Sequence, residues 1–304
     1  MTVATRPPGP DTLRQRAAAG VSPAGRGPRR GRGIAYATSG VLLSLVFVLP
    51  LVWALIQSFE PGTDIAATPS AKDFTRLTFG NYTGLLGSGN DIEHYMLNSF
   101  AVALGTALLT AVVATLAGYG FGRFRFRGKG IVFGVILVTV MIPFQAILTP
   151  LFIELNDVHL TNSLYGLVLF YVTFNLPFSV FIMRNTFLQI PSEIEEAAFV
   201  DGASHWTMLI RVLRPLILPG IATTVLYAFL SSWTEFLGAL TFLTSQSKYT
   251  LPVELYNLEV GTYGGVNLGY LIAGTVIAMV PCIVLYVSLQ RYYVQGLMAG
   301  SVKS

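Results

Sequence analysis

Four acidic side chains, Glu193, Glu195, Glu196 and Asp201, stand in one short stretch of this chain. Such a cluster could hold a metal ion. Read locally, it fits better as first-turn acids and a helix cap, with one contact left for docking, because carboxylates are favoured at a helix N-terminus. A hydrolase would need a nucleophile–base pair or a metal set. The histidines are only His94, His159 and His205, and no H-E-x-x-H is present. No G-x-x-x-x-G-K-S/T occurs either, so the chain has no phosphate-cradling loop of that kind. The reading is therefore of a non-enzyme with no metal site and no cofactor of its own. The remaining chemistry-bearing groups are Glu235, Asn175 and Gln145, which lie inside apolar runs, and the lone Cys282, a small buried apolar residue.

The elements that must position these groups are membrane spans. Hydrophobic residues make up 53% of the chain and charged ones 11%, where a soluble domain carries about a quarter charged. No Asp, Glu, Lys, Arg or His lies between Arg32 and Glu60, His94 and Arg123, Lys129 and Glu154, or His159 and Arg184. Each gap exceeds the ~20 residues a helix needs to cross a bilayer. A fifth span is expected from about Leu216 to Leu243, interrupted by Glu235, and a sixth from about Leu268 to Leu289. The prediction is an all-α membrane protein of six transmembrane helices.

Charge sets the orientation. Sixteen of the 19 lysines and arginines fall before span one, between spans two and three, between four and five, or after six. The other side has only Lys72, Arg76 and Lys248. The positive-inside rule puts both termini in the cytoplasm. It also makes Arg123, Arg125, Arg127 and Lys129 topology anchors, although the interleaved Phe124 and Phe126 could suggest nucleic acid. Residues 1–33, rich in Arg, Gly, Pro and Ala, are expected to be a disordered basic cytoplasmic tail. The apolar run after them is too long for a signal peptide, so residues 34–304 form the six-span domain. Pro143, Pro177, Pro219 and Pro281 fall within spans, where each removes a backbone hydrogen bond.

The long polar stretch of the second half is the loop 191–220, PSEIEEAAFVDGASHWTMLIRVLRPLILPG. Ser192 with Glu195 fits a capping box, and a helix is expected from about Glu193 to Asp201. Ile194, Ala197, Ala198 and Asp201 would share a face whose small centre admits a partner backbone. Gly202 is placed to end the helix in a left-handed turn. Ser204 can cap a second helix with an apolar stripe of Trp206, Leu209, Ile210 and Leu213. Periodicity alone allows a docking element or an amphipathic hairpin on the membrane surface equally well.

The same loop resembles the EAA loop of ABC importer permeases, the binding-protein-dependent transport family. That pattern is E-A-A, three residues, G, nine residues, then I-x-L-P. Here Glu196-Ala197-Ala198 is followed at those spacings by Gly202 and by Val212-Leu213-Arg214-Pro215, with Arg214 departing from the usual Leu. The run Asp201-Gly202-Ala203-Ser204 is also similar to the family. Trp233-Thr234-Glu235-Phe236-Leu237 resembles the W-N-E/D-F-L of carbohydrate permeases. Lys248-Tyr249-Thr250-Leu251-Pro252-Val253 resembles the TLP segment after it, and Gln290 to Lys303 is similar to the C-terminus of the maltose-type second permease.

The resemblance implies a type I ABC importer permease bundle in a bacterial plasma membrane. It implies a second permease as heterodimer partner, a cytoplasmic ATPase dimer that binds ATP and Mg, and an extracytoplasmic sugar-binding protein. Glu196, Ala197, Ala198, Asp201, Gly202 and Ala203 would contact the ATPase. Glu235, Trp233, Asn175 and Gln145 are the expected substrate path, with Tyr171, Phe174 and Tyr227 as further aromatics able to stack on a sugar ring. Interhelical hydrogen bonds and packing account for the same residues in a different way. The alternatives are an ABC permease for another solute and an ion-coupled secondary transporter, for which no internal repeat is visible.

Overall fold

The computed structural model describes residues 29–61, 77–87, 91–262 and 265–301. Most of the basic tail, residues 1–28, lies outside them, as do Lys72, Arg76 and Lys303. Among the described residues there are helices and turns and no strand. Helix α1, Arg29–Gln57, begins about a turn before the expected start at Ile34, and its stretch Tyr36–Gln57 is long and apolar enough to cross a membrane.

After a short helix α2, Gly80–Gly87, the bundle is built on α3, Ile92–Arg123. Its two faces differ in kind. Ala103, Ala107, Ala111, Ala114 and Gly118 are buried, while Leu104, Leu108, Val112 and Leu116 are exposed. A small-residue stripe lets another helix approach closely, and an exposed leucine face suits lipid. The approaching helix is α6, Leu164–Leu188, which runs alongside in the same direction. A β-carbon added at Gly118 would come within 2.5 Å of Met183 Cβ and 2.9 Å of the Arg184 backbone nitrogen. Gly118→Val is therefore expected to part the two helices. Overpacking typically costs about 1–3 kcal/mol, and here backbone as well as side chain must yield. The expected readout is a lowered unfolding temperature of the purified protein, and an unchanged one would place the packing elsewhere.

The third span is broken. Helix α4, Lys129–Val138, continues as a 3-10 turn over Thr139–Met141 and gives way at Pro143 to α5, Phe144–Asp157. The two halves are bent by 103°. Proline withholds its N–H and drives the residue before it out of helical geometry, and Ile142 is extended with ψ 121°. The bend opens a cleft of about 690 Å³ lined by Thr139, Ile142, Leu151, Glu154, Phe174 and Pro177, among others.

Helix α7, Ser192–Val200, precedes a continuous run from His205 to Thr234, α8. Met208–Leu213 within it is wound as a π-helix, and Arg214 N–H bonds back five residues to Leu209. The fifth span thus starts inside the expected second hairpin helix and stops at Thr234, short of the predicted Leu243. Glu235 is extended with ψ 131°, and a short helix α9, Leu237–Phe242, follows. The chain closes with α10, Leu251–Glu259, and α11, Leu268–Ser301. Five single helices are long and apolar enough to span a membrane, and the bent pair α4–α5 makes a sixth. At the end of the bundle away from α7, the loop before α10 is pinned to α3. Asn98 donates to the Ser247 and Tyr249 carbonyls, and Ser99 Oγ accepts from Leu251 N–H at 2.7 Å.

Candidate functional site

The hairpin is assembled as the sequence suggests in three respects. Gly202 has φ +83°, a conformation glycine adopts without steric cost. Its N–H bonds to Phe199 O and the Ala203 N–H to Ala198 O, both at 3.0 Å, which is the paired closure of a Schellman motif. Ser204 then caps the next helix, its hydroxyl accepting from Thr207 N–H at 3.2 Å.

Two local expectations are corrected. Ser192 and Glu195 do not form a capping box: α7 starts after Pro191 with no side-chain cap. The Glu195 carboxylate is buried and ion-paired with Arg123 at the end of α3. A charged partner holds a carboxylate more strongly than a single backbone N–H does. The expected small face is also divided. Ile194 and Ala198 pack against the core around Met183, Phe187 and Met208, whereas Glu196, Ala197, Val200, Asp201 and Gly202 are exposed and Ala203 is half-buried. The outward surface is therefore set by Glu196, Ala197 and Val200 rather than by Ile194 and Ala198. In the following helix, Leu209 and Leu213 are buried but Trp206 and Ile210 are exposed, and Met208 takes the inner position.

Arg123, Phe124 and His205 were not singled out by the sequence as partners of this hairpin. Arg123 also donates to Ile190 O at 2.8 Å. The Phe124 ring lies 5.7 Å from His205, and the Phe199 ring lies 5.0 Å from it, edge-on. The pairing is long-range, and nothing local in the sequence marks it.

The four substrate-path candidates are not gathered into one site. Glu235 caps α9: its carboxylate accepts from Gly238 N–H at 2.9 Å and Ala239 N–H at 3.3 Å, and from Tyr171 Oη–H at 2.5 Å. Asn175, one turn along α6, donates to Tyr171 O at 2.8 Å and is fully enclosed, with Oδ1 unpartnered. Trp233 faces the other way. It stacks on Phe229, with centroids 5.7 Å apart and planes at 10°, and its indole N–H donates to Ala278 O at 3.0 Å. Gln145 is exposed, just past the break at Pro143. Of the aromatics, Phe174 lines the cleft under the bent span, and Tyr227 packs edge-on against Phe178.

A bundle of apolar helices, one of them sharply bent, with a small-residue hairpin displayed at one end, is the architecture of a transport permease. The chain belongs to the family described as the binding-protein-dependent transport system inner membrane component, whose profile matches residues 112–298. It is 31% identical over 265 residues to the arabinooligosaccharides transport system permease protein AraQ of Bacillus subtilis, covering 86% of this chain and 93% of that one. It is 32% identical over 263 residues to the diacetylchitobiose uptake system permease protein NgcG of Streptomyces coelicolor, covering 86% and 84%. The crystal structure of a bacterial ABC transporter that imports the acidic polysaccharide alginate contains a chain of the same fold. Its TM-score is 0.74 at 22% identity, over 89% of this chain and all of that one. The chain is thus an integral membrane permease of the ABC importer class.

Proposed function

We propose that this chain is one of two permease subunits of an ATP-driven sugar importer, joined to a separate ATPase through the hairpin 191–220. The observation that carries the proposal is the exposed surface Glu196, Ala197, Val200, Asp201 and Gly202, in a chain of this family. Small side chains let a groove close over the helix, and the two acids give it a defined charge. Sugar is the solute class because the matched permeases of B. subtilis and S. coelicolor are those of arabinooligosaccharide and diacetylchitobiose systems.

In this reading ATP and Mg bind the partner ATPase, and this chain supplies path and transmission. ATP must favour the closed, outward-open assembly over the resting one, since a ligand shifts an equilibrium only by its differential affinity. Glu196, Ala197, Ala198, Asp201, Gly202 and Ala203 form the docking element, with Ala198 supporting it from beneath. An extracytoplasmic sugar-binding protein delivers solute at the opposite end. The family and its bacterial relatives support a bacterial plasma membrane location, and the distribution of lysine and arginine supports cytoplasmic termini. Gln145 and the cleft beside Phe174 are the parts of the expected path open to solute. Glu235, Asn175 and Trp233 are engaged in intrachain bonds.

The test is to isolate the chain from membranes in mild detergent, identify what accompanies it, and reconstitute the complex in vesicles. Co-isolation of a second permease and an ATPase, with ATP-dependent uptake of labelled arabinotriose or diacetylchitobiose, supports the proposal. An ATP-dependent complex that takes up none of these but moves another solute moves the assignment within the importer class. Uptake driven by an ion gradient without ATP sinks it.

A further inference from the structure

Chain continuity ties the hairpin to α6 before it and α8 after it. The structure adds a third attachment, to α3. Arg123 and Phe124 are consecutive residues at the end of that span, and they hold the hairpin at two separated points. Arg123 forms the buried ion pair with Glu195 near the start of α7 and also donates to Ile190 O, the last turn before the hairpin. Phe124 packs against His205, which touches Phe199 near the end of α7. Tyr119, one turn back on α3, packs against both Phe124 and Phe187 of α6, each at 5.4 Å.

We propose that Arg123 is a positioning residue for coupling: with Phe124 it clasps α7 to α3, so that the hairpin and spans two, four and five move as one body when the ATPase closes. The inference rests on the importer reading above. Its physical basis is charge at close range. The guanidinium stands against the Glu195 carboxylate while its Nη2 donates to Ile190 O, so one cation meets the hairpin on both sides of Pro191. Glu195 is enclosed, so it has little water to replace Arg123 and a strong reason to stay paired. Without the clasp the described contacts that hold α7 are those of Ile194 and Ala198 with the core and of Phe199 with His205, together with its two peptide connections. A push on its outer face could then rotate it without moving α3.

The experiment uses the whole importer, purified through this chain and placed in lipid nanodiscs. Cys282→Ser removes the one native thiol of this chain, and any cysteines of the other subunits are replaced likewise. Nitroxide labels at Glu193→Cys on the hairpin and Arg127→Cys beyond α3, both exposed positions, report the hairpin-to-span distance without nucleotide and with ATP plus vanadate. With Arg123 present, one narrow distance unchanged by nucleotide is expected. In Arg123→Ala the distribution is expected to broaden and to shift on adding ATP. Arg123→Lys keeps a charge toward Glu195 and is expected to restore most of the narrow distribution, which simple side-chain packing would not predict. If Arg123→Ala does not assemble, Glu195→Gln removes the charge with little change of shape and is expected to show the same broadening. A narrow, nucleotide-independent distance in either charge-removing variant overturns the clasp. A wild-type complex that carries no ATPase sinks the importer reading, and the clasp's role in coupling with it.

Discussion

Gly202→Pro and Glu196→Lys are expected to abolish ATP-driven uptake while leaving the chain in the membrane, by two different routes. At Gly202 the backbone sits at φ +83° and its N–H closes the helix onto Phe199 O. Proline is locked near −65° and has no N–H, so it denies both the turn and the bond, and the connection between α7 and α8 must be rebuilt. The effect is on the shape of the docking element. At Glu196 the side chain is exposed, with no hydrogen bond or ion pair among the described residues. Lysine there leaves the fold intact and reverses the charge presented to the partner. Charge reversal at a docked contact costs several kcal/mol, so uptake is expected to fall by at least roughly tenfold. Membrane insertion and the amount of chain in the membrane serve as the control. Wild-type uptake in Glu196→Lys would remove that face from the docking surface. Wild-type uptake in Gly202→Pro would show that the hairpin's shape is not used.

The second large effect is expected at Glu235, and in stability rather than in solute affinity. One carboxylate serves the N-terminus of α9 and the Tyr171 hydroxyl together. Hydrogen bonds to a charged group are worth about 1.5–3 kcal/mol each before the cost of leaving their partners unmade. Glu235→Ala strips all three, and a loss of at least roughly 4.5 kcal/mol is expected, seen as a lowered unfolding temperature of the complex. Tyr171→Phe removes one bond and is expected to cost about 1.5 kcal/mol. The double variant should cost less than the sum, because the two groups share the bond that is lost. If Glu235→Ala kept its unfolding temperature and only the apparent affinity for sugar weakened, the carboxylate would belong to the solute path.

Much of this fold was legible because a bilayer forbids charge. Gaps between charged residues marked four of the spans; boundaries moved, and the third span is broken into two helices at Pro143. The clearest shift is at Glu235, where an intramembrane carboxylate was readable as an interruption but not as the cap of a following helix. Local turn chemistry was legible too: Gly202 and Ser204 act through neighbours three to five residues away. What escaped was everything set by tertiary contact. Ser192 and Glu195 have the right spacing for a capping box, yet a buried guanidinium from another span outcompetes the local bond. Trp233 lies in a motif that invites a solute contact, but Phe229 of its own helix stacks on its ring and Ala278 O of α11 takes its N–H. Gln145 and Asn175 looked alike in sequence. One is open beside a proline break and the other is sealed between helices.

The uninterrupted helix from His205 to Thr234 has a mechanical consequence. At 1.5 Å per residue its 30 residues make a strut of about 45 Å, rooted next to the hairpin and ending where Glu235 leaves helical geometry. A tilt of roughly 5° at the root would carry the far tip sideways by roughly 4 Å over that length, comparable to the thickness of a sugar ring. The π-wound segment sits at the root, beside the hairpin. Because α8 belongs to the same clasped body as α3 and α6, that displacement is shared by all three spans, and the extended Glu235 is where the chain leaves the shaft for α9.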